Sequence, residues 1–403
     1  MRTIGVLGGG AAGMMAALTA AEKQENRVVL LERQQRVGRK LQATGNGRCN
    51  LTNTGANIEN YHGENRDFAL PALCRFSPAD TLAFFRELGL LTVEEYGGRV
   101  YPLSNSANSV VDVLRFALEQ RGVEVHTGCP VRRISRCDGG FAVECEEERF
   151  FFDRLIVACG GAAGEKLGGV MDGYELLKPL GHKRTGLTPS LVQLLTAPEY
   201  PRALKGIRAD AGVSFRQGGA CLAGSRGEVQ FTETGLSGPA VFDISRTVAL
   251  NGGRGTVELD FLRDYEEETV KSLLLARRQQ LPALPCGELF TGMLHNRLGR
   301  MCVKYAALPA ADPIGTLGEA ALARAARAAK HFALELRGTE GFASAQVTAG
   351  GIRTAGFDPE TLESWFVPGL FVCGELLDID GDCGGFNLQW AWASGRLAGR
   401  LGE

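Results

Sequence analysis

No two of the eleven cysteines are spaced as Cys-x-x-Cys, and none clusters with histidine at zinc or iron–sulfur spacing. No metal site is therefore expected, and the cysteines read as mostly buried, reduced thiols. Histidine is scarce and scattered: His62, His126, His182, His295 and His331 have no spacing that suggests a nucleophile or a ligand set. Excess charge is also missing. A net charge of −2, with 22% charged residues, offers no electrostatic footprint for nucleic acid or an anionic membrane. Every hydrophobic run breaks before the roughly 18–20 residues of a membrane span. Arg2 and the alanine-rich stretch after it resemble a secretory signal, but turn-forming Gly8–Gly10 reads instead as part of a folded strand and helix. A cytoplasmic enzyme is expected, long enough at 403 residues for two or three domains.

Glycine is what the chain has in quantity, and its placement at the N-terminus is informative. Gly8-Gly9-Gly10-Ala11-Ala12-Gly13 lies between an apolar run, Thr3 to Leu7, and an alanine-rich helical stretch. Gly8 permits a tight strand-to-helix turn, Gly10 lets backbone approach a pyrophosphate, and Gly13 lets the helix lie close to the sheet. The helix N-terminus adds free N–H groups and partial positive charge. Glu32 closes the next strand, Val28-Val29-Leu30-Leu31, 19 residues beyond Gly13, where an acid accepts from ribose hydroxyls. These features predict a dinucleotide site without deciding between nicotinamide and flavin.

The C-terminal segment bears on that choice. Gly369 to Glu375 reads as a turn, a short buried strand and a Gly-acid corner, followed by Asp378 to Gly385 and a helical run from Asn387. A flavin needs contacts for its ribityl chain and ring that a nicotinamide seldom draws from a distant motif. Glu375 suits a ribityl hydroxyl, and Gly384-Gly385 suits backbone against the ring. Amides near Asn387 and Leu388 suit negative charge on the N1/O2 side of a reduced flavin. By itself the pattern fits a glycine-rich surface loop before an amphipathic helix equally well.

Residues 1–190 alternate strand-like and helix-like segments, with Gly122 to His126 and Val131 to Ile134 suggesting paired strands. Leu155 to Cys159 reads as a buried strand ending in Gly160-Gly161. Residues 191–262 change to short β-like runs, at Ala211 to Phe215, Glu228 to Thr232 and Gly255 to Phe261. Residues 263–336 show helical spacing at Tyr265 to Gln280, Gly287 to Leu308 and Leu317 to Leu336. The expected fold is α/β: a discontinuous Rossmann-like dinucleotide-binding domain, 1–190 and 337–403, which the resemblance described next makes an FAD domain, with an inserted mainly antiparallel β domain, 191–262, and a small helical domain, 263–336.

Several ordered stretches resemble a bacterial flavoprotein family, the NAD(P)/FAD-dependent oxidoreductases that include aminoacetone oxidases and a bile-acid 4,6-reductase. They are Gly38 to Leu41 with Gly45 to Asn53, Gly98 to Pro102, Phe231 to Ala240, Gly350 to Ile352, and Cys373 to Gly395. One departure is Thr44-Gly45-Asn46-Gly47, where the family often has a fuller glycine run. The resemblance implies cofactor contacts at Arg33, Arg39, Lys40, Gly47, Arg48, Cys49, Asn50, Val131, Gly160, Gly374, Asp382 and Phe386, besides Ala11, Ala12 and the residues above. Cys49 follows Arg48, which favours a thiolate, although a structural role is the simpler reading. No partner cysteine is spaced for a flavin–disulfide relay.

A substrate is expected in a cleft between domains, walled by Arg48, Asn50, Arg99, Tyr101 and Ser104 together with Thr234 to Ser237. Arg48 and Arg99 suit a carbonyl or carboxylate, and Tyr101 suits proton donation. Their structural alternatives are an Arg99 pair with Glu94 or Glu95 and a turn at Tyr101-Pro102. The implied enzyme binds FAD and reduces a small organic acceptor such as an enone. NAD(P)H would visit transiently, since no second complete Gly-x-Gly-x-x-Gly is present. Alternatives are an amine or aminoketone oxidase using oxygen, or a non-catalytic FAD protein that senses redox state or meets RNA.

Overall fold

The computed structural model describes all residues, Met1–Glu403, in two compact units: 1–189 with 342–403, and 190–341. The first unit is built on a five-stranded parallel sheet, in the order Leu370–Val372, Arg154–Val157, Arg2–Leu7, Asn26–Glu32 and Glu124–Thr127. Ile4, Val6, Leu30, Leu155, Ile156, Val157, Leu370, Phe371 and Val372 are fully buried. A parallel sheet covered on both faces requires such continuous apolar runs. The opening strand lies at the centre, so the glycine turn after it sits over the middle of the sheet.

The first helix, Ala11–Ala20, packs on the sheet, and the last, Phe386–Gly399, packs on the first helix. Gly395 and Gly399, one turn apart, let these helices approach. A side chain at Gly395 would strike the Ala12 carbonyl, and one at Gly399 would strike Thr19. Two tryptophans of the last helix reach in different directions. The Trp390 indole donates to the Gly374 carbonyl at 3.1 Å, and the Trp392 indole to the Leu51 carbonyl at 2.9 Å. Gln389 accepts from Thr52 and Thr81 and donates to the Phe76 carbonyl. A single helix thereby fixes two loops widely separated in sequence.

The segments expected to pair near residue 130 do not pair with each other. Glu124–Thr127 is the edge of the parallel sheet, whereas Arg133–Cys137 begins an antiparallel meander with Gly140–Glu144 and Arg149–Phe152. The reason is that Val125 extends the sheet beside Leu30, while the turn at Gly139 folds the next strands back on themselves. Tyr101-Pro102 likewise lies in a strand, Arg99–Pro102, paired with Thr92–Glu95, and is not a turn.

The second unit is a closed barrel of Leu194–Thr196, Gly235–Ser237, Ala220–Phe231, Arg208–Gln217, Arg254–Asp260 and Phe332–Thr339. Its core is continuous with that of the helices Pro239–Leu250, Glu267–Gln280, Asn296–Tyr305 and Glu319–Lys330. The expected helix to Leu336 ends at Lys330. Phe332, Leu334 and Leu336 are buried on alternate positions and close the barrel as a strand. No helix is long and apolar enough to cross a membrane.

Candidate functional site

The three motif glycines occupy three different environments. Gly8 has φ +107°, and an added Cβ there would lie 2.5 Å from the Ala158 carbonyl oxygen. A Cβ at Gly13 would run into the Gly8 carbonyl oxygen, so that glycine is required by helix–strand packing. A Cβ at Gly10 would meet nothing within 4 Å. Gly10 therefore borders open space at the start of the first helix. That helix has neither a capping side chain nor an acid in its first turn, including Ala11 and Ala12. This open, amide-rich cradle fits a pyrophosphate.

Glu32 is buried, with both carboxylate oxygens engaged. The Gly9 N–H donates to one at 2.6 Å and the Gln34 N–H to the other at 2.7 Å. These amide bonds supply much of the stabilisation lost on burying a carboxylate. The carboxylate is held against the glycine turn. The Glu32 carbonyl accepts from the Cys129 N–H at 2.9 Å, bringing the loop that leads to Val131 beside the acid. Val131 is half-buried against the core.

A second acid closes the other side of the sheet's carboxyl end. Glu375 accepts from Lys40 Nζ at 2.7 Å and from the Thr348 N–H at 2.8 Å. The Thr348 hydroxyl accepts from the Ala163 N–H, so one threonine fixes both Glu375 and the turn containing Gly160, φ +72°. Gly374, φ +74°, packs so closely that its missing Cβ would lie 2.8 Å from Ala12 Cβ. Thr348 was not singled out from sequence; its only local signal was the strand before Gly350-Gly351.

The loop 44–50 carries the most unusual backbone. Gly45, Asn46, Gly47 and Cys49 all have positive φ. Asn46, at φ 57°, explains how the chain departs from a fuller glycine run: asparagine is among the few residues that adopt left-handed backbone readily. Cys49 lacks that ease, and its fully buried thiol is pushed up to about 12 by burial. It is therefore a protonated packing group, opposed to the thiolate that Arg48 was expected to favour. The Asn50 amide, in the orientation that satisfies its neighbours, donates to the Thr52 carbonyl and accepts from the Gly385 N–H.

Gly384 and Gly385 have φ of +143° and +102°, and a Cβ at Gly385 would lie 2.5 Å from the Thr52 carbonyl oxygen. Backbone at the start of the last helix, at Phe386, thereby comes against the short strand Thr52–Asn53. The Asn387 side chain donates to the Gly381 and Asp382 carbonyls and accepts from the Gly381 N–H. Asp382 is held by Asn60 and by His62, whose Nε2 lies 2.7 Å from a carboxylate oxygen. His62 lies in the short strand Tyr61–His62, which pairs with Asp380–Gly381.

Arg48, Arg99 and Tyr101 gather at this end of the unit. The Arg48 guanidinium lies 4.1 Å from the centre of the Tyr101 ring and is fixed by Glu95 and Asn105. Glu94 accepts from Thr54. Neither glutamate forms a side-chain ion pair with Arg99, although Glu95 is its partner in the strand ladder, in contrast to the structural alternative considered from sequence. The half-buried Arg99 projects toward the Gly384 turn, where its Nε lies 3.6 Å from the missing Cβ. Burial raises the Tyr101 phenol above its ordinary range, opposed by Arg99 and Arg48. Of the expected cofactor residues, Arg33 pairs with Asp172, and Arg39 donates to the Gln34 side chain. Gly47 borders open space.

A parallel sheet, an open glycine cradle, a buried acid at the glycine turn and a second motif returning from the C-terminus define an FAD-binding oxidoreductase. Residues 2–401 match the HI0933-like protein Rossmann domain, and the chain belongs to that family. It is 40% identical to the 3-dehydro-bile acid delta(4,6)-reductase of Clostridium scindens, over 99% of this chain and 98% of the relative. It is 29% identical to the ribosomal RNA dihydrouridine synthase of Escherichia coli, over 96% of this chain and 95% of the relative. The structure of 3-ketosteroid delta1-dehydrogenase from Sterolibacterium denitrificans shares the fold, with a TM-score of 0.52 at 13% identity and 99% coverage of both chains.

Proposed function

We propose that this enzyme takes electrons from NAD(P)H and reduces an activated carbon–carbon double bond, conjugated to a carbonyl, in a steroid-like acid. The observation that carries this reading is Arg99, which has no carboxylate partner beside Tyr101 at the Gly384 turn. The 40% identical relative, named for a reduction of this kind, supports the substrate class. The net charge of −2 favours a small molecule over RNA or a membrane surface as partner.

The residues that would hold FAD are Gly8 to Gly13 and Glu32 for the adenosine and pyrophosphate, with Lys40, Glu375 and Gly384 to Asn387 for the remainder. FAD supplies the hydride or electron pair through its N5. Arg99 binds the substrate carbonyl oxygen and stabilises the negative charge that develops there. Tyr101 keeps its proton at neutral pH because burial disfavours the phenolate, so it can deliver that proton to the carbon partner of the reduced bond. Arg48 orients the ring by stacking on it, and Glu95 and Asn105 hold Arg48 in turn.

The test is product analysis without oxygen. Holoenzyme with NADH or NADPH and a 3-oxo-4-ene bile acid should give the saturated ketone, one equivalent per nucleotide consumed. Consumption of an aminoketone with oxygen, and none of the enone, would replace this reading with the oxidase.

A further inference from the structure

Two cysteines that sequence reading treated as isolated packing residues meet in space. Cys129 Sγ and Cys145 Sγ are 2.8 Å apart, although the residues are 16 positions apart in the chain. A disulfide bond requires about 2.05 Å, so closing the pair takes a shift of less than ~1 Å. Both residues are partly exposed, which admits a small oxidant. Their backbones are also anchored. The Cys145 N–H donates to the Glu148 carbonyl at the end of the meander hairpin, and the Cys129 N–H donates to the Glu32 carbonyl.

We propose that Cys129 and Cys145 form an oxidation-sensitive thiol pair whose disulfide fastens the loop beside Glu32 and slows release of the cofactor. The oxidant is a hydroperoxide. Cys129 Sγ takes the terminal oxygen, forming a sulfenic acid and releasing an alcohol or water. Cys145 Sγ then attacks the Cys129 sulfur: the S–S bond forms, the S–O bond breaks, and hydroxide leaves as water with the Cys145 proton. Two thiols are oxidised by two electrons and the peroxide bond is reduced. A low-molecular-weight thiol reverses the reaction by exchange.

The consequence follows from a short chain of contacts. Cys129 is bonded to the backbone of Glu32, and the Glu32 carboxylate accepts from Gly9 in the dinucleotide turn. Fixing Cys129 to the meander removes freedom from the loop that would open to free the adenosine end. The inference relies on FAD binding by this unit and is independent of the substrate proposed above.

Holoenzyme treated with hydrogen peroxide is digested without reductant and mapped by mass spectrometry, and FAD release is followed by fluorescence. The expected result is a Cys129–Cys145 linked peptide about 2 Da lighter than the two thiol peptides together. FAD release should slow at least about threefold, and reductant should restore the original rate. C129A and C145A should each lose the linked peptide and release FAD at the original, faster rate of the thiol form with or without peroxide. Exposed Cys74, Cys137 and Cys221 report that oxidant was effective. Oxidation at those three without the linked peptide would overturn the proposal, as would a linked peptide with an unchanged release rate.

Discussion

Lys40 and Glu375, 335 residues apart in sequence, form an ion pair of 2.7 Å at the carboxyl end of the parallel sheet. With side chains 29% and 21% exposed, the pair is shielded enough to matter. It joins the short helix after the first acid to the motif that returns from the C-terminus. Replacing Lys40 with Met should leave Glu375 with its Thr348 amide but no cation, weakening FAD binding by about 1 kcal/mol, or roughly fivefold in Kd. A K40M/E375Q double-mutant cycle measures the coupling; additive losses would show that the two side chains act separately.

Glu32 is the acid most directly tied to the dinucleotide turn. E32A removes the acceptor for the Gly9 and Gln34 amides and for a ribose hydroxyl. FAD retention should fall by about 1.5–3 kcal/mol, read by equilibrium dialysis of flavin. Retention equal to the parent would contradict the role assigned to the carboxylate.

The motif glycines separate folding from binding. G10V places its branches in open space and should leave the melting temperature of the apoprotein within about 2 °C of the parent, while the protein purifies without yellow colour. G13A drives a methyl group into the Gly8 carbonyl and should lower apoprotein stability by about 1–3 kcal/mol. Paired thermal melts and flavin absorbance distinguish these outcomes.

His182 gives the fold an acid sensitivity. It stacks on Phe357 with ring centres 4.4 Å apart, and its Nε2 lies 2.9 Å from the Ser364 hydroxyl. That hydroxyl accepts from the Phe366 and Val367 amides, so its proton goes to Nε2, while buried Nδ1 has no partner. Burial lowers the imidazole from 6.5 to about 4. Because the folded-state value is depressed, the unfolded chain takes up the proton first. The associated stability is present above about 6.5 and is lost as pH falls toward about 4, on the order of 1–2 kcal/mol. H182Q should flatten the fall in melting temperature across that window; an identical pH profile would remove His182 from the account.

What was legible in sequence is what short-range geometry dictates. The spacing from Gly8 through Gly13 to Glu32 identifies one strand, one helix and one acid, because each glycine answers a local backbone need. Phe332 to Leu336 was read as a helix because its apolar residues continue the stripe of the preceding alanine-rich helix. Only barrel closure selects period two over period 3.6 there. The Glu95–Arg48 pairing that leaves Arg99 without an acid depends on a loop and a strand 47 residues apart, and no local pattern encodes it. The contacts of Thr348 with Glu375 and of His62 with Asp382 are of the same kind, made by chain topology between distant segments.

The most direct measurement is an anaerobic stopped-flow experiment on holoenzyme, following flavin absorbance near ~450 nm. NADH or NADPH should bleach the band, and a 3-oxo-4-ene steroid acid should restore it faster than air does, with R99A and Y101F slowing that second phase about tenfold or more. Failure of both nucleotides to bleach the flavin would contradict a reductase driven by NAD(P)H.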